Sequence, residues 1–289
     1  MSGLTAAAMS NYAPASRFLE RLQAQEQRLL RQAMRSASPA QAQDLQAWYC
    51  GPHLIGWVDR ARAQAMLAHW PQCALQDGRL VWSVMDWSSQ ERSQYLQQWL
   101  LAQREAGRLS GWRSEAYRCW ATPAYPPQPN EPGLFDCERA GFRYLGLRSH
   151  AVHINGWSPD GELWCGRRSA SKATDPGLLD SLSAGGMTAG QGLWTVLQRE
   201  LWEEAGLQLA PGQSLQWLGC THSRQRVPEG WHDETLWAFN LAMTDEQVPL
   251  NQDGEVAEFV RLTPEQVVQH LCAGDFTKDA ALALQLSLV

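Results

Sequence analysis

The feature that most constrains this chain is the stretch "RELWEEAG", Arg199 to Gly206. Glu200, Glu203 and Glu204 stand at i, i+3 and i+4, so a helix places them on one face. Gly206 reads as a helix stop, the residue past the end that takes a left-handed conformation. The carboxylates therefore fall in the last turns, where the macrodipole is negative and disfavours each acid by roughly 0.3–1 kcal/mol. Like charges at i,i+4 cost a further ~0.2–0.5 kcal/mol per pair. Arg199 relieves part of this. A bound divalent cation relieves all of it, and hard ions such as Mg²⁺ and Mn²⁺ prefer carboxylate oxygens. The alternative is a solvated acidic helix face. The surrounding sequence decides between the two.

The 289 residues suggest one large or two modest domains. A net charge of −6 without a long basic run argues against nucleic acid as the main partner. An anionic substrate then needs local help from a metal or a few arginines. No apolar stretch reaches membrane-spanning length, so no membrane partner is expected. The opening "MSGLTAAAMSNYAP" lacks the basic start and long apolar segment of a signal peptide. Cys50, Cys73, Cys119, Cys137, Cys165, Cys220 and Cys272 are scattered, odd in number and without CxxC. They read as reduced thiols, and the expected location is the cytoplasm. Cys220 and His222 are too sparse a pair to propose zinc. Fifteen tryptophans imply large aromatic packing areas. Trp157, Trp231 and Trp237 are candidates to stack on a substrate ring, with core packing the first expectation for each.

Apolar spacing predicts one helix over 17–35, a strand over 53–59 and a helix over 60–69. Asp77-Gly78 between short apolar runs predicts a hairpin over 73–83. A helix is expected over 88–106 with Gly107 as its stop, and "SEAYRCWAT" is strand-like. Then Pro123, Pro126, Pro127, Pro129 and Pro132 crowd together, which suits neither a helix nor a central strand. A domain boundary is placed here, between residues 1–130 and 138–289. Beyond it, "GFRYLGLRSHAVHINGWS" alternates like one long or two short strands. "GELWCGRR", "SLQWLGC", "ETLWAFNLAM" and "EVAEFVRL" read as further strands. The carboxylate helix covers about 190–205, Thr263-Pro264-Glu265 opens another, and the last stretch is expected to be helical. The expected architecture is an α/β/α sandwich with a mixed sheet, preceded by a smaller α+β domain.

Reading backwards from Arg199, the spacing becomes specific. The run is Gly185, five residues, Gln191, seven residues, then Arg199-Glu200-Leu201-Trp202-Glu203-Glu204-Ala205-Gly206-Leu207. This resembles the Nudix box, G-x5-E-x7-R-E-U-x-E-E-x-G-U with U apolar, at every fixed position but one. Gln191 stands where that family usually has Glu. The resemblance implies that Glu200, Glu203 and Glu204 bind a divalent metal, usually Mg²⁺ with Mn²⁺ as the alternative, and that metals bridge diphosphate oxygens and activate water. Arg199 then holds the carboxylates by charge-assisted pairing. Gly185 and Gly186 are expected to turn the chain tightly into the helix. Gln191 keeps the hydrogen-bonding shape and loses the charge, so altered metal affinity is expected.

A second resemblance is to the subgroup related to the Nudix part of thiamine pyrophosphokinase fusion proteins. It rests on Asn155-Gly156, Arg167-Arg168-Ser169, Lys172, Pro176-Gly177, Asp180, Ala184-Gly185-Gly186 and Asp253-Gly254-Glu255-Val256. The implied reaction is hydrolysis of thiamine diphosphate, or of its oxidised or damaged analogues, to the monophosphate and phosphate. Arg167, Arg168 and Lys172 are candidates to clamp a phosphate, against the plainer alternative of a solvated strand end. Asp233, Glu234, Glu255 and Glu258 are candidates for a fourth carboxylate, acting as metal ligand or general base, with Glu255 favoured by the subgroup pattern. His150 and His153 fall on opposite faces of a regular strand and receive no catalytic role.

The competing readings are a Nudix hydrolase of another substrate, such as ADP-ribose, a dinucleotide or a damaged nucleotide, and a binding module without turnover. The prenyl diphosphate isomerases share the fold and use a catalytic Cys and Glu, but Cys165 lacks a recognisable motif. The N-terminal region shows no chemical motif. It is expected to cover the pocket or to shape a homodimer.

Overall fold

The computed structural model describes residues 13–36, 41–121 and 131–288. Four of the five prolines that mark the expected boundary lie outside these residues; Pro132 lies within them. In chain order the first elements are α1 (Ala13–Arg21), α2 (Ala24–Ser36), β1 (Gln46–Cys50), β2 (His53–Val58), α3 (Arg60–His69), β3 (Cys73–Gln76), β4 (Arg79–Trp82), α4 (Ser89–Glu105) and β5 (Ala116–Cys119). Then come β6 (Phe135–Glu138), α5 (Arg139–Leu145), β7 (Arg148–Trp157), β8 (Leu163–Arg168), β9 (Leu179–Asp180), β10 (Ser183–Gly186) and α6 (Leu193–Ala205). The last are β11 (Leu215–Val227), β12 (Gly230–Ala242), β13 (Val256–Leu262), α7 (Pro264–Ala273) and α8 (Lys278–Ser287).

Local chemistry sets several boundaries. Asp77 and Gly78 both take positive φ, as a tight two-residue hairpin demands, and join β3 to β4. Ser88 and Glu91 form a capping box at the start of α4, and Thr263 and Gln266 do the same for α7 with Pro264 at its first turn. Two expectations fail. The helix expected over 17–35 is two helices, because Glu26 accepts from the Gln23 N–H and caps a new start. The stretch Gly141–Leu145, expected to be strand, belongs to α5. Glu138 accepts from the Ala140 N–H at its start, and Gly146 closes it in the left-handed region. Phe142 and Leu145 pack into an apolar core from this helix, so tertiary burial overrides the alternating pattern.

Two sheets organise the molecule. A four-stranded sheet runs β2-β1-β4-β3. Its core gathers Trp48, Trp70 and Trp82 with Leu96, Leu100 and Phe142, and Trp70 meets Trp48, Trp82 and Trp99 edge to face. The larger sheet runs β11-β12-β7-β8-β13, with β10 paired to β7 and β9 to β8. β12 and β7 are parallel and the other pairs antiparallel, so the sheet is mixed. On one face α6 packs Val196, Leu197 and Leu201 against Val152, Trp237 and Phe239. On the other, Leu282 of α8 meets Ala151 and Leu236. This is an α/β/α sandwich, with an α+β region before it. A third core joins Ala15, Phe18, Leu22, Leu30 and Met34 to Trp157, Leu262, Val267 and Leu284.

Candidate active site

α6 ends as its sequence dictates. Gly206 takes φ 62°, and no basic residue stands in the last turn to offset the dipole. Its orphan carbonyls are met from outside the helix: Leu250 N–H donates to Ala205 O at 2.8 Å and Gln252 N–H to Glu203 O at 3.2 Å. The loop leading to Glu255 is thereby tied to the end of α6.

Glu200 and Glu204 are buried, whereas the Glu203 side chain keeps 44% of its surface exposed. Arg199 bridges two of them, with Nη2 at 2.7 Å from Glu200 Oε1 and Nη1 at 2.8 Å from Glu203 Oε2. Glu204 Oε2 accepts from the Ala184 N–H at 2.8 Å. Burial pushes the Glu200 carboxyl up to about 7, against the pull of Arg199, with Glu203 adding to the rise. Burial, then the charge of Glu200, pushes Glu204 up to about 8. These are carboxylates held short of countercharge.

The glycines before the helix act differently from the expectation. Gly185 and Gly186 do not turn the chain; they lie in β10, in register with Val152 and Ala151 of β7. Their role is close approach. A Cβ on Gly185 would sit 1.9 Å from the Glu200 carboxyl carbon, and one on Gly186 1.7 Å from the Tyr117 hydroxyl oxygen. The turn into α6 comes later, with Gly190 at φ 84°. Gln191 lies in this turn, and its Oε1 is buried without a hydrogen-bond partner. That leaves an acceptor where a Glu would have placed a charge.

The expected phosphate-binding cations form a rim of pairs. Arg167 Nε lies 2.7 Å from Glu258 Oε1, and Arg168 Nη1 lies 2.8 Å from Asp180 Oδ2. Lys172 pairs with Glu255. Burial pushes the Lys172 ammonium down, and Glu204, Asp180 and Asp253 pull it back. Lys172 and Glu255 thus come together beside Glu204. The remaining candidates for a fourth carboxylate are engaged by other partners, although the charge of Glu234 still reaches Tyr117 and Arg139. Asp233 is buried between Arg148 and Arg224, each at 3.3 Å, and Glu234 accepts from Ser149 Oγ at 2.7 Å.

The tryptophans proposed for stacking are core. Trp157, Trp231 and Trp237 are buried, with Trp157 Nε1 donating to Asn240 Oδ1 at 2.8 Å. Cys165 is fully buried and burial pushes its thiol up, which disarms it as a nucleophile. Two residues near the glutamates escaped sequence reasoning. Tyr117 of β5 lies over Gly186, and Arg139 of α5 stacks its guanidinium over the Tyr117 ring at 5.3 Å and draws on the charge of Glu200. No local signal marks either, because they reach the site from before and just after the proline-rich stretch.

The family model for the NUDIX domain matches residues 147–283. Nudix hydrolase 20, chloroplastic, from Arabidopsis thaliana is 31% identical over 205 residues, covering 70% of this chain and 53% of that protein. Nudix hydrolase 24, chloroplastic, from the same plant is 35% identical over 161 residues, covering 54% and 44%. The chain spans about half the length of these curated relatives. Among solved structures, the NUDIX domain of Shewanella oneidensis NrtR complexed with ADP ribose aligns at 15% identity and a TM-score of 0.40, covering 49% of this chain and 86% of that one. The box at Gly185–Leu207, set on a helix against a mixed sheet, lies wholly inside the matched span, and residues 147–283 of this chain are a Nudix domain.

Proposed function

We propose that this chain hydrolyses the phosphoanhydride bond of a small organic diphosphate, with Mg²⁺, or Mn²⁺ in its place, held by Glu200, Glu203 and Glu204. The observation that carries the reading is the buried pair Glu200 and Glu204, pushed up to about 7 and about 8, with Arg199, among the described residues, the one base in direct ion-pair contact with the helix carboxylates. An all-oxygen donor set of this charge suits a hard divalent ion. When bound, such an ion neutralises diphosphate charge and lowers the pKa of its water.

The chain's own part is placement. Arg199 orients Glu200 and Glu203, the Ala184 N–H fixes Glu204, and Gly185 leaves room for the Glu200 carboxylate. Lys172 takes a terminal phosphate oxygen in exchange for Glu255. Glu255, released, accepts a proton from the attacking water. The water oxygen bonds to phosphorus, the bridging P–O bond breaks, and its electron pair leaves on the phosphomonoester. In this reading residues 138–289 carry the chemistry, and the first 130 residues border it through Tyr117.

The substrate proposed is thiamine diphosphate or an oxidised analogue, on the support of the residue pattern from Asn155-Gly156 to Glu255-Val256. A nucleoside diphosphate derivative is the second reading, favoured by the kinship with Nudix hydrolases. The test is Mg²⁺-dependent release of phosphate or phosphomonoester from thiamine diphosphate, its oxidised analogues, ADP-ribose and a prenyl diphosphate, beside a Glu203→Gln control. Turnover of the thiamine compounds that the control abolishes supports the first reading. Turnover of ADP-ribose alone keeps the chemistry and discards thiamine. Isomerised prenyl diphosphate without phosphate release, or tight binding without turnover, overturns the hydrolase.

A further inference from the structure

Along β12 the side chains alternate between the two faces of the sheet. Trp237 and Phe239 pack with α6, while Leu236 packs with Leu282 of α8. His232 and Glu234 share the parity of Leu236 and so face α8. There they meet Asp279 in the first turn of α8, whose start Thr277 caps. Among the described residues, the one set of three His, Cys, Asp or Glu ligand atoms within 4.8 Å of one another is His232, Glu234 and Asp279.

The imidazole is the informative member. His232 is 4% exposed, and its Nε2 makes no hydrogen bond of normal geometry, held only by a long charge-assisted contact to Asp279. It lies 3.5 Å from Asp279 Oδ2 and 3.8 Å from Glu234 Oε2. A proton shared between imidazolium and carboxylate would draw them to about 2.7–2.9 Å. Ligand atoms about 2.0–2.2 Å from a tetrahedral metal stand roughly 3.3–3.6 Å apart. The His232–Asp279 spacing matches the second case, and Glu234 stands slightly farther out, within reach of the same point. Two more buried oxygens lie here: Asp279 Oδ1, and the hydroxyl of Ser223, which sits opposite Glu234 in register and leans toward the Asp279 carboxylate without a hydrogen bond of normal geometry. Glu234 is oriented by Ser149 Oγ at 2.7 Å, as a metal-ligating carboxylate usually is by an outer partner. Lys278 turns away and donates to Arg224 O at 2.9 Å.

We propose that His232 Nε2 and the carboxylates of Glu234 and Asp279 hold a first-row divalent cation, zinc by preference, on the sheet face opposite the α6 glutamates. One imidazole with two carboxylates suits zinc better than magnesium, whereas the all-oxygen set on α6 suits magnesium. The ion joins α8 to β12, so its role is to fix the C-terminal helix on the sheet.

The test is zinc content of the full-length protein after dialysis against trace Zn²⁺ with Mg²⁺ in excess, and the absorption spectrum with Co²⁺ in its place. One zinc per chain is expected in the wild type, kept by Glu203→Gln and lost by His232→Gln and by Asp279→Asn. Circular dichroism checks that each variant is folded. The wild-type Co²⁺ spectrum should show ligand-field bands without a thiolate charge-transfer band, a readout independent of any variant. Four results overturn the proposal: no zinc bound by the wild type, zinc retained by folded His232→Gln, zinc lost from Glu203→Gln, or a thiolate band placing the metal at the exposed Cys220 or Cys272.

Discussion

The end of α6 and the charged rim beside it hold the same kinds of side chain in opposite states. On the rim each cation already has its anion: Arg167 with Glu258, Arg168 with Asp180, Lys172 with Glu255. At α6 one arginine serves two carboxylates, and the third, Glu204, rests on a backbone N–H. The rim is settled without a ligand. The helix end is not, and burial has been used there to keep charge unsatisfied. A charged cluster therefore points to a ligand through its deficit, and the number of charges alone says little.

The sharpest way to break this contrast is Glu203→Gln. It removes one of the three helix carboxylates and should lower kcat by about 10²–10³-fold, the scale of losing one electrostatic stabiliser. Steady-state hydrolysis measures it, and circular dichroism should be unchanged because Glu203 is half exposed. Gly185→Ala comes next. Its Cβ meets the Glu200 carboxyl group, and overpacking of this kind costs about 1–3 kcal/mol. Urea unfolding reads that loss, and activity should fall with it.

The pH dependence separates the two regions directly. Glu200 and Glu204 titrate near 4.5 when unfolded and at about 7 and about 8 in the fold, so the folded state binds more protons between those values. The contribution of this pair to metal-free stability should therefore be full below about 4.5 and be lost as pH rises to about 8. Excess Mg²⁺ should flatten the slope, because it takes the ionised form. Chemical denaturation across this range, with and without Mg²⁺, checks the sign; a slope that Mg²⁺ leaves alone would mean that the ion goes elsewhere. The smallest effect belongs to the rim. Arg167→Ala breaks an exposed pair and should change stability by only ~0–1 kcal/mol.

The helix end, the hairpin at Asp77-Gly78 and the cap at Thr263 were legible because each depends on residues within a few positions. The carboxylates are the strongest case, since spacing alone puts them on one face. The failures are non-local. "GFRYL" alternates like a strand, yet Phe142 and Leu145 are drawn into a helix by a core that joins residues from 48 to 147. Gly185 was expected to bend the chain, and its purpose shows only once Glu200 arrives from the facing helix. Tyr117 and the juxtaposition of His232 with Asp279 depend on contacts across tens of residues, which no local pattern encodes.

The apolar seam between the first helices and the last elements has a consequence for the order of assembly. Phe18 rests edge-on against Trp157 with ring centroids 5.5 Å apart, in a core that also takes in Leu262, Val267 and Leu284. Such contacts close loops that span most of the chain, and they form late because their entropy must be met first. During synthesis α1 and α2 leave the ribosome long before their partners exist. Until the residues near 284 follow, Phe18, Leu22 and Met34 have no complete core to enter, and the nascent chain carries an uncovered apolar stripe that favours chaperone capture.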